Sequence, residues 1–225
     1  MGPVNESINK YKYIITFIDD YSRKAWVYPL KEKSDAGKII INFFKLINNQ
    51  FPDNKVKIFK SDNAREYNNK KIKNFCKRNG IRKEFSPLYN PQNNGIAERL
   101  NRTLTNCTKT ILHWSGLSLN FWDYAIKHAT YIYNLIPHKS INNKIPDEVY
   151  FNKKVKLDHL KTFGFIAYYK NFNQNKQKFD INSKKGVYLG FDEDTYTIMD
   201  YNDHTIHYVC KKPIYISLQY GCGDI

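Results

Sequence analysis

Residues 56–102 read VKIFKSDNAREYNNKKIKNFCKRNGIRKEFSPLYNPQNNGIAERLNR, and strand and helix patterns alternate within them. The apolar, β-branched run Val56–Phe59 predicts a short strand that ends close to Asp62. Residues 72–79 have helical spacing, and Gly80 favours the end of that helix. A strand that is followed by a helix is typical of an α/β layer.

The same order repeats in the second half of this stretch. Residues 83–86 predict another short strand, and the Pro, Asn and Gly residues within 88–95 predict a loop. The amphipathic pattern over residues 96–114 predicts a long helix. Asp62 therefore follows a strand, and Glu98 stands near the start of a long helix.

A predicted hairpin and a helix precede this stretch. The β-rich runs 13–18 and 25–30 predict two strands, and the polar residues 19–23 between them predict a turn. Ser34 is predicted to cap a helix whose apolar residues recur over 39–47.

The pattern changes after about residue 150. Residues 121–134 still predict a helix, but beyond it we find only short strand patterns separated by turns. This spacing favours a small all-β unit. The predicted strands cover 163–169, 186–191, 196–199 and 205–210.

The charge balance points to a polyanionic partner. Lys and Arg number 36 against 21 Asp and Glu, so the formal net charge is +15, and nucleic acid is the partner that this balance favours. The 26 Asn residues indicate AT-rich codons, which also raise the Lys content, so the charge needs a site to support it. The 41% of hydrophobic residues argues for a buried core and against wholesale disorder.

Cysteine and histidine spacing argues against a structural metal site. The four cysteines form no Cys-x-x-Cys pair, so a zinc knuckle or a disulfide framework is not favoured. His113 and His128 have no partner at ligand spacing and suit packing or surface positions, and a metal site at His204 and His207 is not favoured either. No run reaches 18 apolar residues and no signal core opens the chain, so we expect an intracellular protein with reduced thiols.

Each acidic candidate also has an ordinary structural explanation. Asp62 suits an Asx turn or a helix cap, and Glu98 suits the positive end of a helix dipole. Asp19 and Asp20 are an alternative acid pair, for which turn capping is the favoured role.

Taken together, these acids and their flanking motifs follow a known order. Thirty-five residues separate Asp62 from Glu98, and in motif order and spacing the chain resembles the integrase core of copia-type (Pseudoviridae) long-terminal-repeat retrotransposons. Retroviral integrases share this Asp–Glu spacing. The resemblance covers about residues 1–216. Its motifs include Phe17-Ile18-Asp19-Asp20-Tyr21-Ser22-Arg23, Trp26-Val27-Tyr28, Lys60-Ser61-Asp62-Asn63, Pro91-Gln92-Asn93-Asn94-Gly95, Glu98-Arg99-Leu100-Asn101-Arg102, Phe163-Gly164 and Tyr188-Leu189-Gly190.

The resemblance implies an α/β fold class. It implies an RNase H-like mixed sheet with flanking helices over residues 1–150, whose first strand is expected to be missing from the chain. An SH3-like β-barrel is implied over residues 155–216, and residues 217–225 stay unassigned.

The resemblance also implies a metal-dependent active site. An Asp–Asp–Glu triad would hold two Mg²⁺ or Mn²⁺ ions, with Asp62 as the second acid and Glu98 as the third, both catalytic and metal-binding. Carboxylate oxygens suit such hard cations, and paired ions activate a DNA 3′-hydroxyl or water and stabilise the leaving oxygen. The implied reactions are trimming of retroelement DNA ends and strand transfer into target DNA.

Three polar residues of the helix that begins near Glu98 are predicted to face DNA. Asn101, Arg102 and Lys109 recur near one helix face, where they suit phosphate contacts, although a solvated face is the alternative. The implied partners are retroelement and target DNA and further copies of the chain. No membrane or small-molecule substrate is expected, and the resemblance implies a nuclear location.

Two departures from the family pattern bear on activity. The first acid is expected in a pattern Asp-x-x-Gly-Pro. Counting back three residues from Gly2 of Gly2-Pro3 places that acid at position −1, with position 0 between it and Met1. We therefore expect little or no catalysis from the chain as written. We also expect that strands 13–18 and 56–59 lose a shared neighbour, so that their backbone groups need another partner or water. Ala64 and Arg65 stand where the family more often has two glycines.

Two other functions stay open at this point. One is a non-catalytic DNA-binding or interaction protein that was domesticated from a retroelement. The other is a different RNase H-like nuclease, which the copia-like order of the downstream β unit disfavours.

Overall fold

The structure is a computed structural model that divides into two compact units. The first unit comprises Met1–Phe17 and Trp26–Thr103, and the second comprises Ile18–Ala25 and Leu104–Ile225. The predicted boundary near residue 150 divides the chain differently and stays a prediction. The described residues are 1–61, 67, 69–85, 95–170, 182–192, 194–210 and the backbone of 215–216.

The predicted hairpin has the predicted bounds. Strands β1 (Tyr13–Ile18) and β2 (Ala25–Leu30) pair with each other. Both runs are rich in aromatic and β-branched residues, which favour extended backbone. The turn between them contains Arg23 at φ +64°.

The N-terminal segment pairs with the backbone of β1. Met1 and Ile14 exchange two hydrogen bonds, of 2.7 Å from the Met1 amino group and 3.0 Å from the Ile14 N–H. The Val4 N–H donates to the Lys12 carbonyl at 2.8 Å. The edge of β1 that we expected to need another partner therefore has one at Lys12 and Ile14.

Helix α1 (Ala36–Gln50) follows a 3₁₀ turn at Lys33–Asp35. The prediction that Ser34 caps this helix was wrong, because Ser34 lies within the 3₁₀ turn and its hydroxyl donates to Glu32 at 3.0 Å. Reciprocal hydrogen bonds between Glu32 and Asp35 form a capping box around that turn.

Two parallel strands flank helix α2 in the sequence. Strand β3 (Ile58–Ser61) pairs with β4 (Arg82–Phe85), and Asn69 caps α2 (Lys70–Arg78) by accepting the Ile72 N–H at 2.9 Å. Both strands and the helix were predicted, and β3 lies two residues further along the chain than the pattern indicated.

Aromatic rings form much of the core of the first unit. Phe43 of α1 stacks on Phe17 of β1 with ring centroids 4.1 Å apart, and Phe44 meets Phe59 of β3 edge-on at 5.1 Å. Burial of each such side chain contributes about 1.5–3 kcal/mol to folding. Other buried members are Ile15, Leu30, Ala36, Ile40, Ile47, Ile72, Cys76 and Ile81.

Three further helices follow. Helix α3 (Gly95–Ser115) begins in the first unit and ends in the second, and α4 (Trp122–Leu135) lies in the second. Both confirm predicted helices. Helix α5 (Pro146–Phe151) was not predicted, because six residues that begin with proline show no helical period.

The second unit contains a five-stranded antiparallel sheet. Its buried side chains include Tyr169, Tyr188, Tyr196 and Ile198. The predicted all-β character after residue 150 is thus seen in the sheet, whereas an SH3-like barrel stays a prediction. The strands are β5 (Ile166–Lys170), β6 (Ser183–Asp192), β7 (Thr195–Asp200), β8 (Ile206–Cys210) and β9 (Tyr215–Ile216). Their order in the sheet is β8-β7-β6-β5-β9.

In the described part of the chain, no helix combines the length and the apolar character that crossing a membrane requires.

Candidate functional site

The parallel pair β3–β4 brings two chain positions to one sheet edge. Ser61 and Phe85, the last residues of the two strands, are register partners. Asp62 follows Ser61 directly in the sequence but lies outside the described residues, so its catalytic and metal-binding roles stay predictions. The carboxyl edge of a parallel pair is where site residues collect in α/β proteins.

Glu98 lies where its carboxylate can meet a ligand. It is exposed in the first turn of α3, and no ion pair occupies it among the residues that the structure describes. The helix dipole favours a negative charge at this end. An exposed carboxylate that no internal cation neutralises is a suitable oxygen ligand for a divalent metal.

Asn101 links α3 to β1. The Thr16 hydroxyl donates to the Asn101 side-chain oxygen at 2.7 Å across 85 residues of sequence. Asn101 lies three residues after Glu98, so this bond fixes the helix turn that carries the candidate ligand. The sequence contained no sign of the Thr16 partner, and the DNA-facing role of Asn101 stays a prediction.

Arg102 and Lys109 lie on the exposed surface of α3. They follow Glu98 by four and eleven residues, which is the spacing of one helix face. Their exposure leaves both side chains available to phosphates, and contact with DNA stays a prediction.

Asp19 and Asp20 serve the hairpin turn, as predicted. The Asp19 carboxylate accepts the Ser22 N–H at 2.8 Å and the Ser22 hydroxyl at 2.7 Å. Asp20 pairs with Arg23 at 2.7 Å. Because these contacts use both carboxylates within the turn, the alternative acid pair is explained as a structural feature.

A different acidic group lies near the β7–β8 turn. Asp200, Asp203 and His207 bring one ligand atom each within 4.8 Å of one another. Asp200 accepts the Tyr169 hydroxyl at 2.5 Å, and Asp203 accepts the Thr205 N–H at 2.9 Å. The His207 ring lies 2.8 Å from the Thr205 hydroxyl, so each member of the group has a structural hydrogen-bond partner.

His128 of α4 is a packing residue, as predicted. Its ring lies 5.5 Å from that of Phe163 and 5.8 Å from that of Tyr188 on β6, measured between centroids. Burial among these rings lowers the pKa of His128 to about 4, so the imidazole is neutral at pH 7.

Comparison with protein families identifies the first part of the chain. Residues 3–91 match the family described as Integrase core domain. The matched segment includes β1 to β4 and Asp62, and it ends before Glu98.

Two relatives are plant transposon polyproteins. The chain is 35% identical over 196 residues to "Retrovirus-related Pol polyprotein from transposon TNT 1-94" of Nicotiana tabacum, with 87% of this chain and 15% of the relative covered. It is 30% identical over 185 residues to the polyprotein from transposon RE1 of Arabidopsis thaliana, with 82% and 12% covered. The chain thus spans a small part of the length of these relatives.

A solved structure supports the fold class. A chain in the cryo-EM structure of the simian T-cell lymphotropic virus intasome in complex with PP2A regulatory subunit B56 gamma superposes with a TM-score of 0.52. The alignment covers 95% of this chain and 75% of that chain at 16% identity. Residues 3–91 therefore match the integrase core domain, and over most of its length the chain is similar to part of the Pol polyproteins of copia-type transposons.

Proposed function

We propose that the chain is the catalytic core of a retroelement integrase, which joins DNA ends to target DNA by metal-assisted phosphoryl transfer. The observation that carries this proposal is the position of Glu98. Its carboxylate is exposed in the first turn of α3, and the Thr16–Asn101 bond fixes that turn against β1.

Integrase cores of this family depend on divalent metal ions. In this chain, Glu98 and Asp62 would hold Mg²⁺ or Mn²⁺, since both supply carboxylate oxygens, which hard cations prefer. Bound ions would activate the attacking DNA 3′-hydroxyl and stabilise the leaving oxygen of the target phosphodiester. Arg102 and Lys109 would hold phosphates beside them.

The pairing of Met1 with Ile14 predicts where the first acid would lie. In an antiparallel pair, each step back along one strand is a step forward along the other. Because Met1 lies opposite Ile14, an extension that continues this pairing places position 0 opposite Ile15 and position −1 opposite Thr16. Directly opposed side chains lie on the same face. The side chain of Thr16 contacts Asn101, so an Asp at −1 would face the start of α3.

We expect Glu98→Gln to abolish strand transfer in a protein extended with Asp at −1. The change removes the negative charge on which metal binding depends and keeps the shape of the side chain. The matched control is Glu84→Gln, which removes a carboxylate of β4 that pairs with Arg82 at 2.7 Å. Strand transfer is measured with labelled retroelement-end DNA and a plasmid target in Mg²⁺, and duplex binding is measured in EDTA.

Glu84→Gln should retain strand transfer, and both variants should bind duplex DNA nearly as the parent does. Strand transfer that survives Glu98→Gln would refute the site. DNA binding without any strand transfer in the extended parent would favour the non-catalytic DNA-binding protein instead.

A further inference from the structure

Helix α2 presents a solvent face that is almost entirely cationic. It contains no acidic residue, and its exposed residues other than Asn74 are cations. Ile72 and Cys76 are buried on the opposite side. The cations are Lys70, Lys71, Lys73, Lys77 and Arg78, which together with Lys55 and Lys57 of the loop before β3 we call the α2 basic surface.

Packing holds this helix in a defined orientation. Phe75 of α2 stacks against Phe44 of α1 with centroids 6.4 Å apart, and Ile72 has no exposed surface. At about 1.5 Å rise per residue, Lys70, Lys73 and Lys77 follow one another along the outer side at steps of about 4.5 and 6 Å. The fold therefore orders a row of positive charges.

The charge of this surface is not neutralised within the described residues. None of its cations lies within 4.0 Å of a carboxylate in that part of the chain, and the nearby Glu84 pairs with Arg82. Burial lowers the pKa of Lys83, and the positive charge of Lys73 lowers it further.

A polar cleft continues the surface past the end of α2. Its volume is about 600 Å³, and its lining supplies two cations and three side-chain amides. Asp53 is the acidic residue of the loop beside it and does not line the cleft. The lining residues are Asn48, Asn49, Pro52, Lys55, Arg78 and Asn79.

We propose that the α2 basic surface binds the phosphate backbone of nucleic acid, in addition to the DNA-facing residues predicted on α3. Rows of Lys and Arg with amide donors are the groups that contact phosphates in protein–DNA complexes. A protein partner fits less well, because interface cores are depleted in lysine and α2 exposes no apolar side chain. A membrane fits less well because the apolar side of α2 is buried in the core.

The test neutralises the row and leaves the fold alone. Lys70→Gln/Lys73→Gln/Lys77→Gln removes three charges, and glutamine is about as good a helix former as lysine. Binding of a labelled 20-base-pair duplex is measured in EDTA over a series of NaCl concentrations. The control Lys139→Gln/Lys144→Gln/Lys153→Gln removes three exposed lysines of the second unit.

The α2 variant should bind the duplex at least about tenfold more weakly at low salt. The plot of the logarithm of the association constant against the logarithm of the salt concentration should become less steep by about 2.7. The control should change neither quantity appreciably, and Lys70→Arg/Lys73→Arg/Lys77→Arg should restore both. Equal losses in the α2 variant and the control would overturn the proposal, because net charge alone would then explain binding.

A second comparison identifies the ligand class. Polyglutamate of equal charge should compete poorly with the duplex, and equal competition would overturn the assignment to a phosphate backbone. The inference rests on the proposed function in naming nucleic acid as the ligand. Because binding is measured in EDTA without catalysis, its failure is distinguishable from a loss of strand transfer.

Discussion

A hydrogen bond between Thr16 and Asn101 joins the helix that carries Glu98 to strand β1. Thr16 and Asn101 are partly buried, and their 2.7 Å bond joins β1 to the second turn of α3. A buried bond of this kind contributes about 1 kcal/mol to stability. Its larger effect on function would be positional, because it fixes the turn that presents Glu98.

We therefore expect Thr16→Val to reduce strand transfer in the extended protein strongly while it lowers the free energy of unfolding only slightly. Valine keeps the shape of threonine and removes the donor to Asn101, so the loss in unfolding free energy should be about 1 kcal/mol. Strand transfer and urea denaturation measure the two effects. Thr110→Val is the control, since the Thr110 hydroxyl donates to the backbone of its own helix at 3.0 Å.

Duplex binding in EDTA should be unchanged in both variants. A Thr16→Val protein with full strand transfer would show that the bond does not position Glu98.

At the scale of elements, α4 packs against β6 through a neutral histidine. The pKa of His128 is about 4 in the folded protein, because burial disfavours the charged ring, against about 6.5 in an unfolded chain. The unfolded chain therefore binds the extra proton first as pH falls. The contribution of His128 to the free energy of unfolding is therefore greatest above pH 6.5 and declines as pH falls towards 4.

We expect His128→Gln to flatten the dependence of stability on pH in this window. Between pH 6.5 and 4, the free energy of unfolding of the parent should fall by about 3 kcal/mol more than that of the variant. Urea denaturation at several pH values measures this difference. His113→Gln, at an exposed position of α3, should follow the parent, and a variant of His128 that also follows it would contradict the packing argument.

Local pattern predicted most of the elements. The strands at 13–18 and 25–30 form one hairpin, so all the information for their pairing lies within a few residues. Strand β3 extends to Ser61 because its partner Phe85 in β4 continues the ladder, and that partner is remote in sequence. Ser34 lost its predicted role because Glu32 and Asp35 form a capping box around the turn.

The candidate site was predictable in part for the same reason. The position of Glu98 at the start of a helix follows from local pattern, and α3 confirms it. The Thr16 partner of Asn101 depends on how α3 packs against β1, which no spacing in the sequence indicates. The basic row of α2 was visible as composition, but only the packing of Phe75 shows which side of the helix it occupies.

At the scale of the whole molecule, the net charge favours the nucleic-acid partner that the proposed function requires. The net charge of +15 makes any DNA affinity strongly dependent on salt, whether or not the chain catalyses. The chain spans 15% of one relative and 12% of another, so assembly on DNA and a nuclear location are proposals for the protein as a whole. We propose more narrowly that Asp62, Glu98 and an acid at position −1 would meet at the start of α3.

The position of the first acid allows a direct experimental test of this proposal. We would extend the chain by a β-forming segment with Asp at position −1, and compare it with an extension that carries Asp at position 0. Successive side chains of a strand point to opposite faces. An Asp at −1 would therefore face Thr16 and α3, and an Asp at 0 would not. Strand transfer in Mg²⁺ is the measurement. We expect strand transfer with Asp at −1 and none with Asp at 0. Equal activity in the two proteins, or no activity in a folded −1 protein that binds DNA, would refute the proposed site.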